Sequence, residues 1–400
     1  MPDSSAAGRV QHYAEELIAL GVRRIHSMSW RDLDDPDAGG SEVHHDQVFR
    51  RWAAAGLEIS HRSSTASRPR RLVREGYRIE QRGSRYGVFP RTIAGEVLHR
   101  AGPRDAVVEI WNGVPWFSPL WHRGPQVTWL HHVHGAMWDQ VLPGPLAGFG
   151  RMLESRLAPP AYRRTPVVTL TEASRDELVH AGFPARNVHV VPPGIDASFS
   201  PAPAGEASVP APPFVVAAGR LAPVKRFELV LEAVADARTR VPELELVVIG
   251  EGPERARLER WIAERRAADW ARLAGWVSHE ELVRLYRRAT LVVSASLAEG
   301  WGMTLTEAGA CATPAVATDL VGHRGAVVDG VTGLLVPGPG DLGRAVADLV
   351  VDEQRRTAMG RAASARAAQL TWDRAAAGNL AVLLAEARGA VSRRRPRARR

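Results

Sequence analysis

The chain has 400 residues, 45% of them hydrophobic and 24% charged, with 52 Lys and Arg against 44 Asp and Glu and a single cysteine. These are ordinary globular values, so disorder of the whole chain is excluded, and the length suits two large domains or three small ones. One thiol, Cys311, excludes a disulfide framework and a thiolate zinc cluster; with no basic-then-apolar leader and no apolar run of membrane-spanning length, the chain reads as cytoplasmic.

In chain order, β-type apolar runs fall at 24–28, 57–61, 106–110, 126–130, 167–170 and 188–191. Helix-like stretches such as 42–55 and 174–181 separate them. Strand and helix alternation predicts a parallel sheet covered on both faces. Residues 192–213 then carry seven prolines and read as a linker. The alternation restarts with strands at 214–218, 244–249, 271–274, 291–295 and 315–318. Helices at 227–240, 254–265, 280–289 and 305–311 lie between them. The expected fold class is α/β, with two Rossmann-like doubly wound domains at 1–192 and 214–370 joined by a linker at 193–213. The formal charge of +8 concentrates at the end: Arg393, Arg394, Arg395, Arg397, Arg399 and Arg400 supply six of the positive charges. Nucleic acid is therefore the weaker partner. The tail, 391–400, reads either as a solvated end or as a tether to anionic membrane.

In an open α/β sheet, ligands bind beyond the carboxyl ends of the strands, so the residues that follow strands carry the information. Gly39 and Gly40, before Ser41 and Glu42, let backbone amides approach an anion at a helix start; a tight turn capped by Ser41 is the plain alternative. Upstream, Asp32, Asp34, Asp35 and Asp37 read as a solvated loop and not as a metal site. The run Val127 to His134 is a strand ending in His131, His132 and His134, candidates for hydrogen bonding or proton relay, with zinc the disfavoured reading. In Gly219-Arg220-Leu221-Ala222-Pro223-Val224-Lys225, a guanidinium fork and an ammonium suit a diphosphate. In Glu299-Gly300-Trp301-Gly302-Met303-Thr304-Leu305-Thr306-Glu307, two carboxylates flank glycines that free backbone amides.

Together with Cys311-Ala312-Thr313-Pro314 and the segment DGVTGLLVP at 329–337, these motifs resemble the retaining GT-B glycosyltransferases of family 4, the glycosyl transferases group 1. The resemblance covers nearly all of the chain. It implies two domains facing across a cleft that closes about the proline-rich hinge, and a final helix, about 371–390, that packs back on the N-terminal domain. It implies transfer of a hexose or amino sugar from a UDP or GDP type of donor to an acceptor hydroxyl, with retention. On this resemblance Arg220 and Lys225 hold the donor diphosphate, Glu299 the transferred sugar and Glu307 the ribose. Backbone groups of Met303, Thr304 and Leu305 meet sugar or phosphate, Val277 lies in the base-reading stretch, and Gly40 approaches the phosphate. His131 matches the histidine beside the donor sugar. No metal and no cofactor are expected, the nucleotide sugar being a co-substrate, and the acceptor is a small molecule, a glycan or a lipid-linked molecule. Two departures stand out: Ala312 replaces a usual glycine, and Gly322-His323-Arg324-Gly325-Ala326 replaces a GG-x-x-E stretch.

Two other classes are open at this level. An NAD(P)-dependent oxidoreductase would use Gly250 and Gly252 as a dinucleotide turn, and a non-catalytic module would bind phosphosugars. The tryptophans of 111–121 with Trp129 and Trp138 form either an aromatic wall for the acceptor or part of the core.

Overall fold

The computed structural model describes residues 5–65, 67–131, 133, 138, 144–203 and 212–394. The chain divides into two compact units, Met1–Gly194 with Trp372–Arg400 and Ile195–Thr371.

The first unit is built on an eight-stranded sheet in the order β3-β4-β2-β1-β5-β6-β7-β8. Its strands are β1 (Arg24–Met28), β2 (Glu58–Ser63), β3 (Arg70–Arg74), β4 (Tyr77–Gln81), β5 (Ala106–Ile110), β6 (Gln126–Trp129), β7 (Val167–Thr169) and β8 (Val188–Val190). The central strands are buried at nearly every position, as a sheet covered on both faces requires: β5, sequence AVVEI, is buried throughout. The sheet is not wholly parallel. β3 and β4 form an antiparallel hairpin at one edge, a departure from the sequence expectation. A two-residue turn joins them, and both of its residues, Glu75 at φ 44° and Gly76 at φ 87°, lie in the left-handed region that such hairpin turns use.

The 23-residue helix Trp372–Arg394 belongs to this unit. It packs against the Ala6–Ala19 and Gly40–Ala54 helices. Ala376, Ala377, Leu380, Leu383, Leu384 and Ala387 join a core that includes Leu17, Phe49, Trp52 and Trp129. Trp52 Nε1 donates to the Ala376 carbonyl at 3.0 Å, and Arg51 pairs with Asp373 at 2.6 Å.

The second unit has a six-stranded parallel sheet in the order β11-β10-β9-β12-β13-β14. The strands are β9 (Phe214–Ala218), β10 (Glu245–Ile249), β11 (Ala271–Gly275), β12 (Leu291–Ser294), β13 (Ala315–Thr318) and β14 (Gly333–Val336). Its core is separate, gathered around Val215, Leu231, Leu246, Leu291 and Val346. The part of the proline-rich segment that is described does not run free. Phe199 meets the rings of His279 and Tyr286, and Arg287 donates to the Ser200 carbonyl at 2.8 Å. Among the described residues, no helix is long and apolar enough to cross a membrane.

Candidate functional site

The order of the second sheet reverses between β9 and β12, which are neighbours although three helices and two strands separate them in sequence. Loops leaving adjacent strands in opposite directions open a crevice at their carboxyl ends. The two loops there carry Gly219 to Lys225 and Ala295 to Gly302, and they are stitched together. Leu297 N donates to the Val224 carbonyl at 2.8 Å. Arg226, in the left-handed region at φ 50°, reaches across to the carbonyls of Ala295 and Ser296 at 2.7 and 2.8 Å. Lys225 Nζ then lies 2.5 Å from Glu299 Oε1, and Ser296 Oγ donates to the same oxygen at 2.8 Å. Burial alone would raise the proton affinity of Glu299, but the Lys225 ammonium beside it prevails and holds the carboxyl below its usual range.

Glu299 leads through Gly302, at φ 94°, into the Met303–Ala310 helix. Leu305 N already donates to the Gly302 carbonyl at 3.1 Å. The amides of Met303 and Thr304 therefore head this helix, where its dipole favours an anion. Glu307 is on the same helix, one turn on. Burial pushes its carboxyl up to about 7, with Asp196 adding to the rise and Tyr286 and Lys225 opposing it. Arg220 is half-buried and opens the turn after β9, and Val277 is half-buried after β11. The loop that departs from the GG-x-x-E pattern becomes the Val321–Ala326 helix and packs on Glu299: a Cβ on Gly322 would fall 2.3 Å from the Glu299 carbonyl oxygen.

The glycines proposed for a dinucleotide turn have another cause. A Cβ on Gly250 would meet the Gly219 carbonyl oxygen at 2.0 Å, and one on Gly252 the Leu221 carbonyl oxygen at 2.5 Å. They let the turn after β10 lie flat on the turn after β9, so they keep Arg220 and its neighbours in place.

Gly40 and His131 are in the first unit. Gly40 starts the Gly40–Ala54 helix, but its cap is not Ser41, whose hydroxyl accepts from Asn112 at 2.9 Å. Instead the buried Glu42 carboxylate accepts from Gly39 N at 2.8 Å. The expectation of a solvated acidic loop fails at Asp32, which is 1% exposed. Its two oxygens receive the Arg74 fork at 3.1 and 2.9 Å, and Gln81 donates at 2.6 Å. Asp32, His45 and His61 offer ligand atoms within 4.8 Å of one another. The guanidinium already occupies the carboxylate, and both His61 nitrogens face serine hydroxyls, Ser29 at 3.0 Å and Ser27 at 3.2 Å. The chemistry of the cluster is that of a buried ion pair, not of a cation cage.

His131 follows β6, is 3% exposed and meets the ring of His44 edge-on at 4.9 Å. His44 is itself buried, which lowers its proton affinity to a pKa of about 3 and keeps it neutral. His132 and His134 lie outside the described residues. The aromatic wall proves to be core at Trp111, Trp116, Trp129 and Trp138, which are 1%, 0%, 0% and 4% exposed, while Trp121 is half-buried. Sequence reasoning missed Arg226, Ser296 and Tyr286, whose partners lie on other loops and leave no spacing to read.

Two family profiles match the chain: Glycosyltransferase Family 4 over residues 38–199 and Glycosyl transferases group 1 over 202–366. A D-inositol 3-phosphate glycosyltransferase of Streptomyces bingchenggensis is 30% identical, over 92% of this chain and 90% of that protein. Its counterpart in Kineococcus radiotolerans is 31% identical over 91% and 94%. Among solved structures, the sucrose-phosphate synthase of Thermosynechococcus elongatus superposes with a TM-score of 0.73 at 21% identity, covering 93% of this chain and 98% of that one. Anabaena HepE in complex with UDP and glucose gives a TM-score of 0.68 at 18% identity over 93% and 100%.

Proposed function

The chain belongs to glycosyltransferase family 4 and transfers a sugar from a nucleoside-diphosphate sugar to an acceptor; from that premise we propose that the second unit binds the donor around Lys225 and Glu299. The observation that carries this reading is the 2.5 Å Lys225–Glu299 pair at the β9/β12 switch point. In this reading Arg220 and Lys225 neutralise the diphosphate as it leaves, and the Met303 and Thr304 amides add donors where negative charge grows. Glu299, held ionised, orients hydroxyls of the transferred sugar. Glu307 receives the ribose diol, and the backbone at Val277 meets the base. Gly40 and His131 serve from the first unit, which also holds the acceptor.

Transfer proceeds with retention. The bond from the anomeric carbon to the diphosphate oxygen breaks, the acceptor oxygen bonds to that carbon on the same face, and the acceptor's proton passes to the departing phosphate. A hexose or amino sugar is the transferred group. Because fixed cationic side chains do the neutralising, turnover is independent of divalent metal. The acceptor to test first is D-inositol 3-phosphate, since the relatives carry it in their names. The basic tail, whose residues 395–400 lie outside the described residues, brings the enzyme to an anionic membrane surface on the inner face; a protein cut after Arg394 that still partitions onto anionic vesicles would refute this.

The deciding experiment measures transfer from UDP- and GDP-sugars in EDTA, with Lys225→Ala and Arg220→Ala beside the wild type. Activity should survive chelation, and each variant should lose about 10²- to 10³-fold in kcat. Near-normal rates in both variants, or activity that returns only with magnesium or manganese, would refute the site.

A further inference from the structure

His323 is wholly buried at 0% exposure in the Val321–Ala326 helix, and no step above uses it. Its Nδ1 lies 2.7 Å from the Thr318 carbonyl oxygen. A carbonyl only accepts, so Nδ1 carries a proton in either charge state of the ring. Its Nε2 lies 3.1 Å from Ser294 Oγ, which is 3.2 Å from Ser296 Oγ, which is 2.8 Å from Glu299 Oε1.

Three contacts in a string need three protons, and the two hydroxyls supply only two. The third must come from an end of the string, either Nε2–H of an imidazolium or a protonated Glu299. Lys225 keeps Glu299 ionised, so a string with all three contacts made requires the third proton on His323. With a neutral imidazole one contact of the string, at Ser294, has no proton. The ring is also wedged against the start of the Met303–Ala310 helix: a Cβ on Gly302 would fall 3.2 Å from His323 Cδ2.

We propose that His323 is a positioning residue for Glu299, acting through the Ser294 and Ser296 hydroxyls, and that it takes up a proton when an anionic donor occupies Lys225. The second clause rests on the donor-site reading given above; the first does not. The charged groups that bear on the ring are Glu299, Lys225, Arg226 and, on the neighbouring turn, Asp319. Burial, helped by Lys225 and Arg226, holds the proton affinity of His323 below the usual imidazole range although Glu299 and the Thr318 carbonyl raise it, so the ring of the ligand-free protein is neutral. A diphosphate on Lys225 cancels part of the opposing charge, so the imidazolium forms and the string closes on Glu299.

Two measurements separate the clauses. In ligand-free protein carrying ring-labelled histidine, an NMR pH titration follows the His323 signal, assigned by its loss in His323→Asn. Glu299→Gln should lower the proton affinity of His323 about tenfold, and Ser294→Ala should lower it by a smaller factor. If every folded variant titrates as the wild type does, the relay is wrong. Calorimetry of UDP, GDP and ADP in buffers of different ionisation enthalpy then counts protons. Wild type should take up more than His323→Asn, and the difference removes any contribution from Glu307, which also titrates near neutrality. Equal counts overturn the uptake. If none of the three nucleotides binds wild type, the donor-site reading falls, and with it the uptake clause, while the titration still decides the relay.

Discussion

Ala312 holds φ at 64°, just beyond the Cys311 cap of the Met303–Ala310 helix. That is the position where a helix commonly ends in a left-handed residue, and a Cβ there costs energy that glycine avoids. This is the residue that stands where the family resemblance leads one to expect glycine. The structure shows strain, and Ala312→Gly should stabilise the protein by about 0.5–1 kcal/mol, read as a higher melting temperature. Glu307 makes a second prediction at this scale. Its carboxyl is pushed up to about 7 from the usual 4.5, chiefly by burial. The stability this group contributes is therefore full below about pH 4.5 and is lost as pH rises through about 7. The melting temperature of wild type relative to Glu307→Gln should fall between pH 5 and pH 8; a difference that is flat or rises over that span would contradict the shift. Lys225, Glu299 and Glu307 were readable as candidates because each follows a strand of a doubly wound sheet. Asp32 was not, since its burial depends on Arg74 and Gln81, far along the chain on a hairpin that itself went unread.

That hairpin shows what limits reading at the level of elements. β3 and β4, RRLVR and YRIEQ, carry many charges because the hairpin forms an edge of the sheet. Charge blurred the alternation, and their Glu75-Gly76 turn lacks the Asn-Gly or Asp-Gly signal that marks such turns. The buried parallel strands were legible for the opposite reason: runs such as AVVEI and LVVS are apolar over most of their length, whichever face they show. The Trp372–Arg394 helix was expected from the family resemblance, not from its own periodicity. Its packing makes a test. Leu380, Leu383 and Leu384 are 0%, 0% and 2% exposed in the core of the first unit. Leu383→Ala should cost about 2–5 kcal/mol. A chain ended before Trp372 should fail to fold its first unit, while one ended after Arg394 should melt as the full chain does, both followed by circular dichroism.

Among the described residues, the hydrophobic core of the second unit shares no residue with the core clusters of the first. The chain passes between the units twice, at Gly194 to Ile195 and at Thr371 to Trp372. The two crossings are side by side: Ile195 bridges Thr371, and Ile195 N donates to the Leu370 carbonyl at 2.9 Å. The second unit is thus one continuous stretch with its ends tied together, whereas the first depends on a helix from the far end of the chain. Cores that are separate need not melt together, because cooperativity follows shared buried contacts. Scanning calorimetry should resolve two transitions, and isolated Ile195–Thr371 should reproduce one of them. A nucleoside diphosphate that binds around Lys225 stabilises chiefly the unit that contains Lys225, by about 2.7 kcal/mol at a hundred times its Kd. UDP or GDP should therefore raise the transition shared with the isolated second unit more than the other. If the nucleotide raises the first unit's transition alone, the donor has been assigned to the wrong half of the molecule.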